Sequence, residues 1–250
     1  MSPGRSSPLN GDVLHRLRHI HRQAARIQGW LSPQAGGILY LLARFFAPIS
    51  TVVELGAWKG RSTVWLASGI KDRGHGSVYS IDTWRGTPSE QIHQQLLRDY
   101  GSDDLYREFQ RNLERARLTE QVSSLRMTTT DAAIRWSGSP IGLLLIDADH
   151  SYEAVQADFD HWSPFVMPGG FIVFDDVPSW PGPTRVVSRL PETYDWVVAP
   201  QSQWIVTKGD ADGCREQLQD CLEVLRRCLP RKLRPGLWHK YWRVLSRMGS

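Results

Sequence analysis

Apolar residues at Val13, Leu14, Leu17, Ile20, Ala24 and Ile27 recur at helical spacing among arginines and histidines, which predicts an amphipathic helix over 10–27. Ser32 before Pro33 offers an N-cap and a first-turn proline, and the helix it starts carries Leu39, Leu42 and Phe46 until Pro48. Beyond Pro48 the pattern changes to strands alternating with helices. Residues 51–55, 77–82, 122–127, 141–146 and 171–174 read as strands, and 62–70, 104–117, 131–136 and 152–162 as helices. The run 141–146 is apolar apart from one glycine, the mark of a strand covered on both faces. Pro168-Gly169-Gly170 predicts a turn, and two final strands, 195–199 and 203–207, have no long helix near them and predict a closing hairpin. Residues 83–103 form a polar stretch too long for a plain connection.

This alternation predicts an α/β fold: an open, mostly parallel sheet with helices on both faces, extra N-terminal helices and a C-terminal helix. A chain of 250 residues holds between one and two domains. The expected division is an N-terminal helical lead over 1–48, a ligand-binding domain over 49–210, and a C-terminal helix with a basic tail over 211–250.

Charge changes the picture only at one end. Thirty Lys and Arg against 26 Asp and Glu give +4; residues 214–250 hold nine basic and three acidic residues, so residues 1–213 carry 4 − 6 = −2. The basicity belongs to the tail, which argues against a nucleic-acid-binding body. Three cysteines, Cys214, Cys221 and Cys228, cannot make a disulfide framework, and the first thirty residues lack a signal-type apolar run, so a cytoplasmic protein is expected. Seven-residue spacing sets these cysteines roughly 10 Å apart along a helix, too far for one zinc ion. With Leu218, Leu222, Leu225 and Leu229 they read as a buried stripe.

In such a sheet the ligand lies beyond the carboxyl ends of the strands. The first strand ends in Glu54-Leu55-Gly56-Ala57-Trp58-Lys59-Gly60-Arg61-Ser62, where the glycines permit a sharp turn and the next helix offers free N–H groups. The second ends in Asp82, placed for both hydroxyls of a ribose. No GxGxxG and no GxxxxGK[ST] is present, so neither a dinucleotide pyrophosphate nor a nucleoside triphosphate fits. S-adenosylmethionine, which carries a ribose and no phosphate, does. The fourth and fifth strands end in Asp147-Ala148-Asp149-His150 and Asp175-Asp176. Asp147, Asp175 and Asp176 on adjacent ends would repel one another without a cation, and Mg2+ or a similar divalent ion supplies that charge. His150 and Asp149 are the two candidate general bases.

ELGAWKGRST, SIDTW and LLLIDADHSYEAVQADFDHWSPFVMPGGFIVFDD resemble the class I S-adenosylmethionine-dependent methyltransferases, in the metal-dependent small-molecule branch that includes macrocin-type sugar O-methyltransferases and cephalosporin-hydroxylase-like relatives. The resemblance implies a Rossmann-like, seven-stranded sheet whose last strand is antiparallel. It implies that Glu54, Gly56, Ala57, Trp58, Gly60 and Ser62 form the cofactor loop. Asp82 with Thr83 would hold the ribose, and Thr129, Thr130 and Asp131 the adenine. Asp147 would border the cofactor and, with Asp175 and Asp176, hold the metal. A small hydroxylated acceptor, a sugar or natural product, is the implied substrate.

Residues 84–103 are expected to fold over that acceptor as a lid, or else to form a surface insertion, and Trp180 to stack on an acceptor ring. The tail, with Leu237, Trp238, Tyr241, Trp242 and Leu245 among its basic residues, is expected to pack against a second subunit, which implies a homo-oligomer. Contact with an anionic membrane surface is the alternative. A nucleic-acid methyltransferase, a hydroxylase-like protein and a non-catalytic nucleoside-binding module are the rival functions. No NPPY-like sequence follows the fourth strand, which counts against the first.

Overall fold

A computed structural model describes residues 8–87, 90–137, 139–211 and 213–230. The seven strands are β1 (Thr51–Leu55), β2 (Ser77–Asp82), β3 (Val122–Arg126), β4 (Ile141–Ile146), β5 (Val166–Phe174), β6 (Tyr194–Val198) and β7 (Trp204–Lys208). They form one sheet in the order β3-β2-β1-β4-β5-β7-β6. The first five are parallel; β7 enters antiparallel between β5 and β6, so the hairpin expected at the end of the chain is present. The order reverses between β1 and β4, which opens the crevice that binds ligands in sheets of this kind.

Both faces are covered, as the unbroken apolar run of β4 requires. Leu143 and Leu145 face one layer with Leu39, Trp65 and Phe109, while Leu144 and Ile146 face another with Phe159, Trp162 and Val186. The first layer holds α1 (Gly11–Ala24), α2 (Pro33–Leu41), α3 (Arg61–Arg73), α5 (Asp104–Ala116) and α9 (Arg215–Cys228). The second holds α6 (Thr129–Arg135), α7 (Tyr152–Trp162) and α8 (Pro181–Val187). A short α4 (Gln91–Leu96) lies in the segment after β2.

The N-terminal helices and α9 share the first layer with the sheet. Asn10 caps α1 through Val13 N, and Ser32 caps α2 through Ala35 N. Gly36 lies so close to Trp65 that a Cβ there would come within 2.3 Å of the indole. Leu218, Cys221, Leu222 and Leu225 are the buried face of α9, and Cys214 and Cys228 are half-buried. The basic tail, 231–250, lies outside the described residues.

One local expectation is corrected. Pro168-Gly169-Gly170 does not reverse the chain. It sits inside β5, where Gly169 at φ +77 lets the strand bulge so that Val166 pairs with Ile141 and Phe171 with Leu143. A seven-residue helix, α8, fills the connection from β5 to β6, started by Pro181 at its first position.

Candidate active site

The loop after β1 is shaped by what it must pass. Gly56 has φ +84, and a Cβ there would stand 2.0 Å from the Asp147 carbonyl oxygen. Glycine is therefore required on both conformational and steric grounds. Beneath the loop, Glu54 is fully buried and accepts from Ser62 Oγ at 2.6 Å, Thr63 Oγ1 at 2.7 Å and Ser80 Oγ at 2.7 Å. Burial pushes its carboxyl up, against the pull of those three hydroxyls. Glu54 thus ties α3 to β1 and β2.

Asp82, at the end of β2, is equally committed to the loop. Its Oδ2 accepts from Ala57 N and Trp58 N at 2.9 Å each, and its Oδ1 from Trp84 N at 2.6 Å. Desolvation raises this carboxyl while the backbone donors oppose it. Oδ1, with one donor, has acceptor capacity left.

A cavity of about 880 Å³ opens over these strand ends. Gly56, Ala57, Trp58, Ser62, Asp82 and Thr83 line its first half, together with Met127, Thr128 and Thr129. Glu54, Gly60, Thr130 and Asp131 do not line it. Gly60 caps α3 at φ +88 and faces Phe109. Thr130 and Asp131 are exposed on α6, where Asp131 exchanges hydrogen bonds with Thr128. The buried Trp58 indole N–H has no hydrogen-bond partner among the described residues. The spare acceptor capacity of Asp82 on the cavity wall fits a hydroxyl of a nucleoside-bearing cofactor.

The second half of the cavity is acidic. Asp147, His150 and Asp176 each offer a ligand atom within 4.8 Å of the others. His150 Nε2 lies 3.0 Å from Asp176 Oδ2 and 4.0 Å from Asp147 Oδ1, while Nδ1 lies 2.6 Å from Glu90 Oε1. Nε2 is buried, and among the described residues it makes no well-aligned hydrogen bond, the 3.0 Å approach of Asp176 being an ion-pair contact. Burial alone would lower the imidazole pKa, but the three surrounding carboxylates raise it to about 12. Asp147 goes well up, through burial and then the negative charge of Asp175. Two carboxylate oxygens and one unsatisfied imidazole nitrogen form a donor set that fits a divalent cation.

Asp175 stands apart from this trio. Its Oδ1 accepts from Asp176 N at 2.8 Å and Ser202 Oγ at 3.0 Å, and its Oδ2 from Gln203 Nε2 at 3.3 Å. Burial and Asp176 push this carboxyl up to about 6. Asp149 Oδ1 accepts from Ser151 N at 2.7 Å, and Ser151 in turn caps α7. Trp180 stacks on the His150 ring at 4.8 Å and 16°.

A family described as a methyltransferase domain matches residues 53–177. The chain belongs to that family. Its seven-stranded sheet has the Rossmann-like order of that fold. An uncharacterized protein of Sinorhizobium fredii, y4gI, is 28% identical over 126 residues, which make up 50% of this chain and 13% of that protein. The chain thus spans about an eighth of that relative. Cofactor-bound Rv0187 from MTB superposes with a TM-score of 0.56 at 20% identity, covering 80% of this chain and 90% of that one. The O-methyltransferase TomG from Streptomyces achromogenes, solved with S-adenosylmethionine, gives 0.51 at 18% identity, covering 80% and 92%. These two likenesses concern the fold.

Several further residues border the domain's cavity. Arg61 donates to the carbonyls of Ala24 and Gly29 and so fastens Trp30 over the mouth; desolvation lowers its pKa to about 10. Trp30 packs on Trp58 at 6.0 Å and on His93 at 5.8 Å. His93 is buried and stacks on Trp58 at 4.6 Å and 22°. Glu90, 7% exposed, reaches His150. Trp58, Trp84 and Asp176 all have positive φ, at +46, +51 and +58, so left-handed strain gathers at three strand ends around the cavity. Among the described residues, no helix is long and apolar enough to cross a membrane.

Proposed function

We propose that this methyltransferase transfers the methyl group of S-adenosylmethionine to a hydroxyl of a small acceptor, of sugar or natural-product type, with help from a divalent cation, Mg2+ in the first instance. The observation that carries this reading is that Asp147, His150 and Asp176 converge on the same cavity as the Gly56 loop and Asp82. TomG is an O-methyltransferase involved in tomaymycin synthesis, which accords with it.

In this reading the remaining acceptor capacity of Asp82 takes a ribose hydroxyl, and the 127–129 edge receives the adenine. Asp147 borders both halves. Asp147 and Asp176 would hold the cation, with Asp175 adding charge from behind. A bound divalent ion supplies positive charge that lowers the pKa of a neighbouring hydroxyl. The chain supplies alignment and the proton acceptor. With the charges of Asp147 and Asp176 taken up by a cation, the field that keeps His150 protonated would be largely cancelled and Nε2 freed to accept. As the acceptor oxygen forms its bond to the methyl carbon, the sulfur–methyl bond breaks and the hydroxyl proton passes to His150 Nε2. The products are the methyl ether and S-adenosylhomocysteine. Asp149 is the less suited base, because its Oδ1 is already engaged by Ser151 N. The exposed Trp30 and Trp180 offer apolar faces for a sugar or aromatic ring. A soluble, cytoplasmic homo-oligomer that does not bind nucleic acid completes the proposal.

The test is product formation with a panel of hydroxylated acceptors, read as S-adenosylhomocysteine release with and without chelator. Asp176→Asn is expected to lower turnover by at least 100-fold and to abolish divalent-ion binding in calorimetry, with cofactor affinity kept. Turnover that survives both chelator and Asp176→Asn would remove the cation from the reaction.

A further inference from the structure

Glu90 stands far from the strand ends in sequence, yet its carboxylate closes one side of the acidic site. It is buried, and its Oε1 lies 2.6 Å from His150 Nδ1. Its Oε2 lies 3.4 Å from His93 Nδ1. That second nitrogen already accepts the Thr87 backbone N–H at 3.1 Å. His93 Nδ1 therefore carries no proton to give Glu90, and the hydrogen of the short contact sits between Glu90 and His150. A carboxylate is an acceptor, so the arrangement requires a hydrogen on His150 Nδ1.

The consequence falls on the other ring nitrogen. With Nδ1 held, Nε2 is the atom that faces Asp147 and Asp176, and it is the buried atom left without a well-aligned hydrogen bond. Trp180 covers one face of the ring and fixes its plane. Carboxylate, imidazole and reactive centre in a row is the arrangement that orients a histidine and selects its tautomer. The backing group here comes from the segment after β2. Through His93, stacked on Trp58, the same segment leans on the cofactor loop.

We propose that Glu90 is the positioning residue of His150, holding a hydrogen on Nδ1 and aiming Nε2 at Asp147, Asp176 and the acceptor hydroxyl. This rests on the role given to His150 above.

Three variants, Glu90→Gln, Glu90→Asp and His150→Gln, test it by three readouts. In proton NMR of the protein without acceptor, a hydrogen held in so short a contact resonates downfield of the amide envelope. That signal is expected in the wild type and in Glu90→Asp, and is expected to vanish in Glu90→Gln and His150→Gln. In calorimetry with Mn2+ alone, Glu90→Gln is expected to stay within about threefold of the wild type, because Asp147 and Asp176, which would hold the cation, are untouched. Its kcat is expected to fall while KM for S-adenosylmethionine stays within about twofold, with Glu90→Asp recovering part of the loss. Persistence of the downfield signal in Glu90→Gln, or an unchanged kcat in that variant, would overturn the proposal, as would a Mn2+ affinity lost together with kcat, which would place the effect of Glu90 on the cation instead. If the wild type binds no Mn2+ and methylates no hydroxyl, the reading of the site fails instead, and the NMR comparison still decides whether Glu90 holds His150.

Discussion

Gly56→Ala probes the point where the two halves of the site touch. The new methyl group meets only main chain: the Asp147 carbonyl oxygen at 2.0 Å, its carbon at 2.5 Å and Ala148 Cα at 2.7 Å. Non-bonded heavy atoms settle at about 3.5–4.0 Å, so the ends of β1 and β4 must part by more than about 1 Å. Forcing extra volume into packed structure costs about 1–3 kcal/mol, and a left-handed backbone adds about 1–2 kcal/mol for alanine. Together the loss is roughly 2–5 kcal/mol, within a total stability on the order of 5–15 kcal/mol, so the variant folds. At about 2–4 °C per kcal/mol for a chain this long, Tm should drop by on the order of 10 °C. Gly74→Ala is the internal control, since Gly74 has φ +89 and nothing within 4 Å of its would-be Cβ. It should show the conformational cost alone, about 1 kcal/mol. Urea unfolding of both variants, with calorimetric titration of S-adenosylhomocysteine, gives the comparison. Equal losses in the two variants, with cofactor affinity kept in Gly56→Ala, would refute the claimed close approach.

Asp82→Ala strands the N–H groups of Ala57, Trp58 and Trp84. At about 1.5–3 kcal/mol per charge-assisted bond, S-adenosylhomocysteine should bind at least about 100-fold more weakly in calorimetry, while circular dichroism reports a retained fold. Asp158, 3% exposed, is pushed by burial from 3.8 to about 6, against a hydrogen bond from Thr129. The folded state therefore holds this proton more tightly than the unfolded chain, and stability falls as pH rises from 3.8 through about 6. The full span, 6 − 3.8 = 2.2, corresponds to about 3 kcal/mol. Asp158→Asn should gain on the wild type by up to that amount between pH 4 and pH 7 in urea titrations, and a pH-independent difference would contradict the assignment.

The strand ends were legible because each carries its own local signal: an apolar run, then a glycine or an aspartate. Asp82, Asp147 and Asp176 were found in this way, and the structure gathers them around one cavity. Glu54 and Gly60 belong to the same motif, yet they serve the loop from beneath, which spacing alone does not distinguish from contact with a ligand. Thr130 and Asp131 point elsewhere because Thr128 caps α6, which starts two residues before the helix expected from residue 131. Glu90 could not be found, since an acidic residue in a polar stretch has no pattern and its partner lies 60 positions away. Helices α4 and α8, of six and seven residues, are too short for a period to show.

The end of α9 has a practical consequence for handling the protein. Gln34 Nε2 donates to the carbonyls of Leu229 at 3.3 Å and Pro230 at 3.1 Å, and Leu31, three residues before Gln34, borders the cavity. Three residues span at most about 11 Å. The end of α9 therefore docks on the same stretch of chain that gives the cavity its Leu31 wall. The six Lys and Arg of residues 231–250, with no acidic residue among them, start from that point. Gln34→Ala would leave the Leu229 and Pro230 carbonyls without this donor and loosen the end of α9 beside the Leu31 wall, a change to avoid when the cavity is to be assayed intact.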